Sequence, residues 1–346
     1  MATADITVRG AGVFGLAIAW EAVRRGARVR VIDPRGPGGG ASGGVVGALA
    51  PHAPENWNDM KAFQFDCLLA AESYWPGVEG ASGLFSGYRR GGRIQPVADA
   101  GALARAEARA EAARMLWRGA AEWRVTDDVG DWAPASPSGR WIVDTLSAQL
   151  DPPRAVAALA AAVTAAGGEI AGDGIERGRV VHATGWEGLL ALSECLGRSV
   201  GGGVKGQAAV FDADPGAVAQ LYAGGLHVVA HGPGRVAVGS TSERDFDDPD
   251  TPDARLDDVI ARARAAVPAL ANAPVVARWA GVRPRAASRA PIVGRWPGRP
   301  DHFIANGGFK TGFALAPGIA PLAVDLALEG RDAVPAPFRL NPSAET

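Results

Sequence analysis

Ile6-Thr7-Val8-Arg9-Gly10-Ala11-Gly12-Val13-Phe14-Gly15-Leu16 begins the chain's first apolar run, and Asp33 closes the next one. The order reads as a strand, a glycine turn, a helix, and a second strand ending in an acid. Gly10 suits the tight turn, Gly12 lets backbone approach a pyrophosphate, and Gly15 lets helix and strand pack closely. A helix beginning there offers free N–H groups and a positive dipole end to phosphates. Asp33 lies 21 residues after Gly12, the spacing of a carboxylate that accepts hydrogen bonds from an adenosine ribose. In a chain with 47 glycines the glycine pattern alone says little. With strand, helix, second strand and acid in register it predicts a dinucleotide site, and the motif leaves open which dinucleotide.

Working outward, apolar residues at Phe14, Ala17, Ile18, Ala22 and Val23 form one helical stripe, and Arg28-Val29-Arg30-Val31-Ile32 reads as a short buried strand. A Gly/Pro loop over 34–40 leads into Ala41-Ser42-Gly43-Gly44-Val45-Val46-Gly47-Ala48-Leu49-Ala50-Pro51. So many small residues after the acid predict backbone wrapped closely around a bound group. Residues 59–75 read as a helix. Short strands over 92–97, 123–126 and 140–143 flank an Ala/Arg/Glu-rich surface helix over 100–117. A helix follows Asp151-Pro152-Pro153, with proline where a missing N–H costs little. Val180-Val181-His182 is a strand running into the small-residue turn at Thr184-Gly185-Trp186. Alternation through 226–229 and 236–238 about Gly232-Pro233-Gly234 describes an antiparallel hairpin. A helix over 253–267, a strand over 301–305, the turn Asn306-Gly307-Gly308-Phe309-Lys310-Thr311-Gly312-Phe313 and a final helix to Leu328 complete the chain's predicted elements.

At 346 residues the chain exceeds the size at which one core stops growing, so two domains are expected. Net charge is −2 and no basic block occurs, which points away from nucleic acid and anionic membranes. Cys67 and Cys195 are far apart and lack CxxC spacing, so neither a disulfide framework nor a metal site is expected. No membrane span or secretory leader is read, the longest small-apolar stretch being 155–166, and a cytoplasmic protein is expected. The pattern as a whole predicts an α/β fold. A discontinuous Rossmann-type dinucleotide domain (1–80, 145–200 and 285–340) carries an α+β antiparallel-sheet substrate domain (81–144 and 201–284).

Four segments carry a family resemblance: GAGVFGLAIAWEAVRRGARVRVID, GASGGVVGAL, VVHATGW, and WAGVRPRAASRAPIVG followed by NGGFKTGFALAPG. In these the chain resembles the flavin-dependent D-amino-acid oxidase, glycine oxidase and sarcosine oxidase group, the glycine oxidase branch most of all. The resemblance implies non-covalent FAD, its ADP half on Gly10, Gly12, Val13, Phe14, Gly15, Asp33 and Pro34. Ser42, Gly47, Ala48, Thr184, Gly185 and Trp186 would line it, and its ring would face Arg283 and the Gly308, Phe309, Lys310, Thr311, Gly312, Phe313 turn. That turn opens a helix whose N–H groups can stabilise negative charge on a reduced flavin. The family's covalent attachment through a late cysteine has no counterpart here.

The resemblance also implies substrate roles. Arg283 matches an arginine that clamps the substrate carboxylate, a task suited to a planar two-pronged donor. The stretch around 283–289 reads as a proline-rich loop, in which Arg285 and Arg289 are ordinary surface arginines. Lys310 stands where glycine oxidases have arginine and sarcosine oxidases lysine. His227 replaces a tyrosine, and Tyr222 matches a pocket tyrosine. The implied activity is oxidation of a small amino acid or N-substituted amino acid at Cα by hydride transfer, pre-aligned without a side-chain base. The imine product would hydrolyse to an oxo acid, and oxygen or another acceptor would reoxidise the flavin. Two readings stay open beside it: a flavin-bearing subunit without turnover alone, and an NAD-dependent dehydrogenase resting on the first motif only. Oligomeric state is not legible.

Overall fold

The computed structural model describes residues 5–340. The buried run Ile6–Arg9 is central to a six-stranded sheet, pairing in parallel with Val29–Ile32 on one side and Arg179–His182 on the other. Glu169–Ala171 extends the first edge; His302–Asn306 and the antiparallel Ile292–Arg295 extend the second. Four helices cover it as one interlocking layer: Val13–Arg24, Asp59–Ser82, Pro152–Ala165 and Gly312–Val324. Their shared core includes Leu16, Ile18, Leu68, Trp75, Leu159 and Leu315. Burying each such side chain contributes about 1.5–3 kcal/mol.

The second sheet has eight strands. In order they are Val275–Ala286, Gly201–Phe211, Val236–Gly239, Leu226–Ala230, Gln220–Ala223, Arg93–Pro96, Trp141–Asp144 and Trp123–Thr126. Only the Gln220–Ala223 and Arg93–Pro96 pair is parallel. Helix Arg255–Ala266 buries Leu256, Val259 and Ile260 against Phe211, Leu221 and Val228 of this sheet. The predicted hairpin is present, pairing Val228 with Val238.

Three elements differ from the sequence reading. The WAGVRPRA stretch, taken as a proline-rich loop, is the end of the long strand Val275–Ala286, paired with Gly201–Phe211. It lies at the sheet edge, where Pro284 can lack an N–H without breaking a ladder. The turn Thr184-Gly185-Trp186 starts a full helix, Gly185–Leu196, and the helix expected over 59–75 continues to Ser82 through Pro76. The longest apolar stretch is also not 155–166. Gly312–Glu329 has the length and composition to cross a membrane, but 61% of it is buried in this fold, against helices Val13–Arg24 and Asp59–Ser82.

Candidate active site

The glycine turn is shaped by contacts that allow no other residue. Gly10 has φ +104°, and a Cβ there would sit 2.3 Å from the Ala183 carbonyl oxygen. A Cβ on Gly15 would sit 1.8 Å from the Gly10 carbonyl oxygen. Both glycines therefore build the turn from behind. Gly12 is the helix N-cap and has no side chain to cap with, so the Val13 N–H donates instead to the Ser42 hydroxyl at 2.9 Å. Asp33 is buried, and its carboxylate accepts the Ala11 N–H at 2.7 Å and the Arg35 N–H at 2.9 Å. The acid thus ties the turn to the loop after the second strand.

In front of this turn lies a cavity of about 350 Å³. Gly12, Val13, Phe14, Asp33, Ser42, Gly47 and Ala48 line one part of it; Thr184, Gly185, Trp186, Gly308, Phe309, Gly312 and Phe313 line another. Arg283, Lys310, His227 and Tyr222 line the same space. Four expected residues do not. Gly10 and Gly15 act through packing, Pro34 is exposed to solvent, and the Thr311 hydroxyl turns back to the Gly308 carbonyl at 3.1 Å. Neither cysteine lines it: Cys67 is buried against helix Gly312–Val324, its thiol pushed up to about 12 by burial, and Cys195 lies on the surface near Pro297.

Arg283 is only 9% exposed. Its Nη1 donates to the Ser240 hydroxyl at 2.6 Å, and its Nη2 donates to the carbonyls of Thr241 (2.7 Å) and Lys205 (3.3 Å). Nε is buried without a partner. The guanidinium lies across Gly206, where a Cβ would meet Nη2 at 2.2 Å, so the flat side of the neighbouring strand is what admits it. Burial pushes this arginine down to about 10, against the pull of Glu243. A buried cation with an unused donor is a strong receptor for a carboxylate.

The Gly308–Phe309 turn seals the outer edge of Arg283's strand. The Phe309 N–H donates to the Pro284 carbonyl at 3.0 Å, and Gly308 bridges Arg285. Behind the turn a Cβ on Gly308 would meet the Phe14 ring at 2.8 Å, so the turn is wedged between helix Val13–Arg24 and strand Val275–Ala286. Lys310 stands at the exposed rim of the cavity, its ammonium pushed down to about 8 by burial and by the charges of Arg283 and Arg285.

His227 and Tyr222 are cross-strand neighbours with ring centroids 4.8 Å apart. Burial, with Arg93 and Lys310 nearby, pushes His227 down to about 3, so it is a neutral imidazole. Its Nδ1 has no partner. Sequence reasoning missed Ser240 and Thr241, which hold the arginine, and Trp279, which lines the cavity. No spacing rule ties a Ser-Thr pair on one strand end to an arginine two strands away.

The glycine cradle, the helix N-terminus and the buried acid fit a dinucleotide flavin. The family model described as FAD dependent oxidoreductase matches residues 5–326. Glycine oxidase of Geobacillus kaustophilus is 26% identical, the alignment covering 97% of this chain and 96% of that one. Glycine oxidase of Pseudomonas putida is 32% identical over 47% of this chain and 49% of its own length, so that alignment spans about half of each protein. The crystal structure of the Geobacillus kaustophilus enzyme superimposes with a TM-score of 0.85, covering 99% of both chains at 23% identity. At that identity the superposition shows a shared fold.

Proposed function

The chain belongs to the FAD dependent oxidoreductase family, with FAD as its cofactor, and we propose that it oxidises a small amino acid or N-substituted amino acid at Cα. The observation that carries this reading is Arg283: a nearly buried guanidinium with an unpartnered Nε, facing the cavity beside the Gly308–Phe313 turn. In this proposal the six-stranded sheet and its glycine turn hold the ADP half of FAD, bound non-covalently. The eight-stranded sheet supplies the substrate wall.

Bound FAD supplies the two-electron acceptor that takes the Cα hydride. The chain's own residues do the positioning. Arg283 receives the substrate carboxylate, and the hydrogen bonds it donates to the Ser240 hydroxyl and the Thr241 and Lys205 carbonyls keep its plane fixed before substrate arrives. Lys310 adds a second positive charge on the carboxylate side. His227, neutral at working pH, neither repels the substrate amine nor adds a charge to the wall. No residue is asked to abstract the Cα proton; the amine loses its own proton to solvent, and the imine product takes up water. The N-terminal N–H groups of helix Gly312–Val324 point their positive dipole end at the turn, where they would stabilise negative charge on a reduced flavin held there.

The test is anaerobic mixing of the yellow holoprotein with glycine, N-methylglycine, D-alanine, D-aspartate and iminodiacetate, followed by admission of oxygen or a dye. Loss of the visible flavin band with a stoichiometric oxo acid is expected. A flavin that none of these amines bleaches overturns the proposal and leaves a flavin-bearing subunit without turnover alone.

A further inference from the structure

Arg283 and Arg285 alternate with Pro284 on one strand, so their side chains leave the same face. Both guanidiniums converge on the Phe309 ring, at 5.5 Å and 5.4 Å from its centroid, and the Lys310 ammonium lies 5.7 Å from the same ring. Phe309 is held at φ +44°, an uncommon backbone state for a bulky residue that needs outside support. Its support is the hydrogen bond to Pro284 and the neighbouring Arg285–Gly308 bridge. Three cations are thereby gathered about one ring by the backbone itself.

None of the three has a carboxylate partner within ion-pair distance among the described residues. Arg285 and Lys310 make no side-chain hydrogen bond there either. Glu243, the acid whose charge reaches Arg283, is already held by Gln207 and Arg255. Most other arginines of the chain are paired: Arg25 with Asp325, Arg30 with Glu169, Arg93 with Asp144 and Arg109 with Glu55. Arg283 and Lys310 line the cavity, and Arg285 joins them at the Phe309 ring without lining it itself; an unpaired cationic trio so placed is a receptor for more negative charge than one carboxylate brings.

Resting on the amino-acid reading above, we infer that the substrate carries a second carboxylate, received by Arg285 and Lys310 while the first lies on Arg283. The substrate class is then an amino- or imino-dicarboxylic acid. The aromatic ring between the cations sets the spacing of the two acids and gives the carbon chain between them an apolar surface to lie on.

The experiment titrates the oxidised holoprotein with non-oxidisable acids at low ionic strength, following the perturbed visible band of the flavin. Malonate and succinate should bind at least about 10-fold more tightly than acetate, the scale of one charge-assisted hydrogen bond. Arg285→Ala should reduce that preference to about 3-fold or less, and Arg285→Lys should restore most of it. In the unmodified protein, added salt should weaken the dicarboxylates more steeply than acetate, a readout that needs no variant to fold. Equal affinity for the two classes overturns the inference, and so does a preference that survives Arg285→Ala. A variant that shifts only the flavin's reduction potential assigns the charge to the cofactor and overturns it too. Failure of the amino-acid reading looks different: none of these acids perturbs the flavin, and no amine bleaches it.

Discussion

The Arg283 guanidinium donates a 2.6 Å hydrogen bond to the hydroxyl of Ser240, 43 residues earlier in the chain. This bond joins the edge strand of the eight-stranded sheet to the end of strand Val236–Gly239, across the intervening Gly201–Phe211. With the two Nη2 bonds to Thr241 and Lys205 it holds the rigid guanidinium plane at two of its three nitrogens.

Ser240→Ala should therefore raise KM for amino-acid substrate by about 3- to 10-fold, within the range of the net contribution of an ordinary hydrogen bond. Flavin content and kcat should change little. Steady-state kinetics with a flavin absorbance count checks both at once.

Gly15→Ala places a methyl group 1.8 Å from the Gly10 carbonyl oxygen, where backbone must move to admit it. Loss of flavin and a drop in stability of about 1–3 kcal/mol are expected. Gly12→Ala meets only the Ser42 hydroxyl, at 3.2 Å, and should leave the fold's thermal midpoint nearly unchanged while lowering flavin affinity. Thermal melts of apoprotein and holoprotein separate the two effects.

How much of this was legible in the sequence follows from which contacts are local. The first strand, turn and helix were readable because Gly10, Gly12, Gly15 and Asp33 lie in one stretch and report one another's geometry. The strand Val275–Ala286 was not. Its Pro284 and its arginines look like a loop, and only the edge position and the pairing with Gly201–Phe211 make it a strand. The same long-range pairing created the slot over Gly206 that buries Arg283. Arg285 read as a surface residue because nothing near it in the sequence marks Phe309 as its neighbour. Pro34 follows the ribose-spaced acid, but the chain turns there and leaves it in solvent.

Lys310 should impose a basic limb on carboxylate binding. Its ammonium is pushed from 10.5 down to about 8, so the positive charge is full below pH 7 and is lost as pH rises through 8. Acetate affinity of the holoprotein should fall over that window. In Lys310→Arg the fall should vanish, because guanidinium stays charged. A titration from pH 6 to 10 reads both.

His227 should make the protein acid-sensitive. Its folded value is about 3 against an ordinary 6.5. Below 6.5 the unfolded chain takes up a proton that the folded chain refuses. The stability tied to this residue is therefore full above pH 6.5 and drains as pH falls toward 3. His227→Gln removes that drain, so its thermal midpoint should decline less than the wild type's between pH 7 and pH 4.

The most direct measurement compares acetate binding to wild-type and Arg283→Ala holoproteins by the perturbation of the visible flavin band. Both should be equally yellow, with the variant weaker by about 30- to 150-fold, corresponding to about 2–3 kcal/mol for a charge-assisted pair. Equal affinity in two fully flavinated proteins would contradict the carboxylate clamp on which the functional account stands.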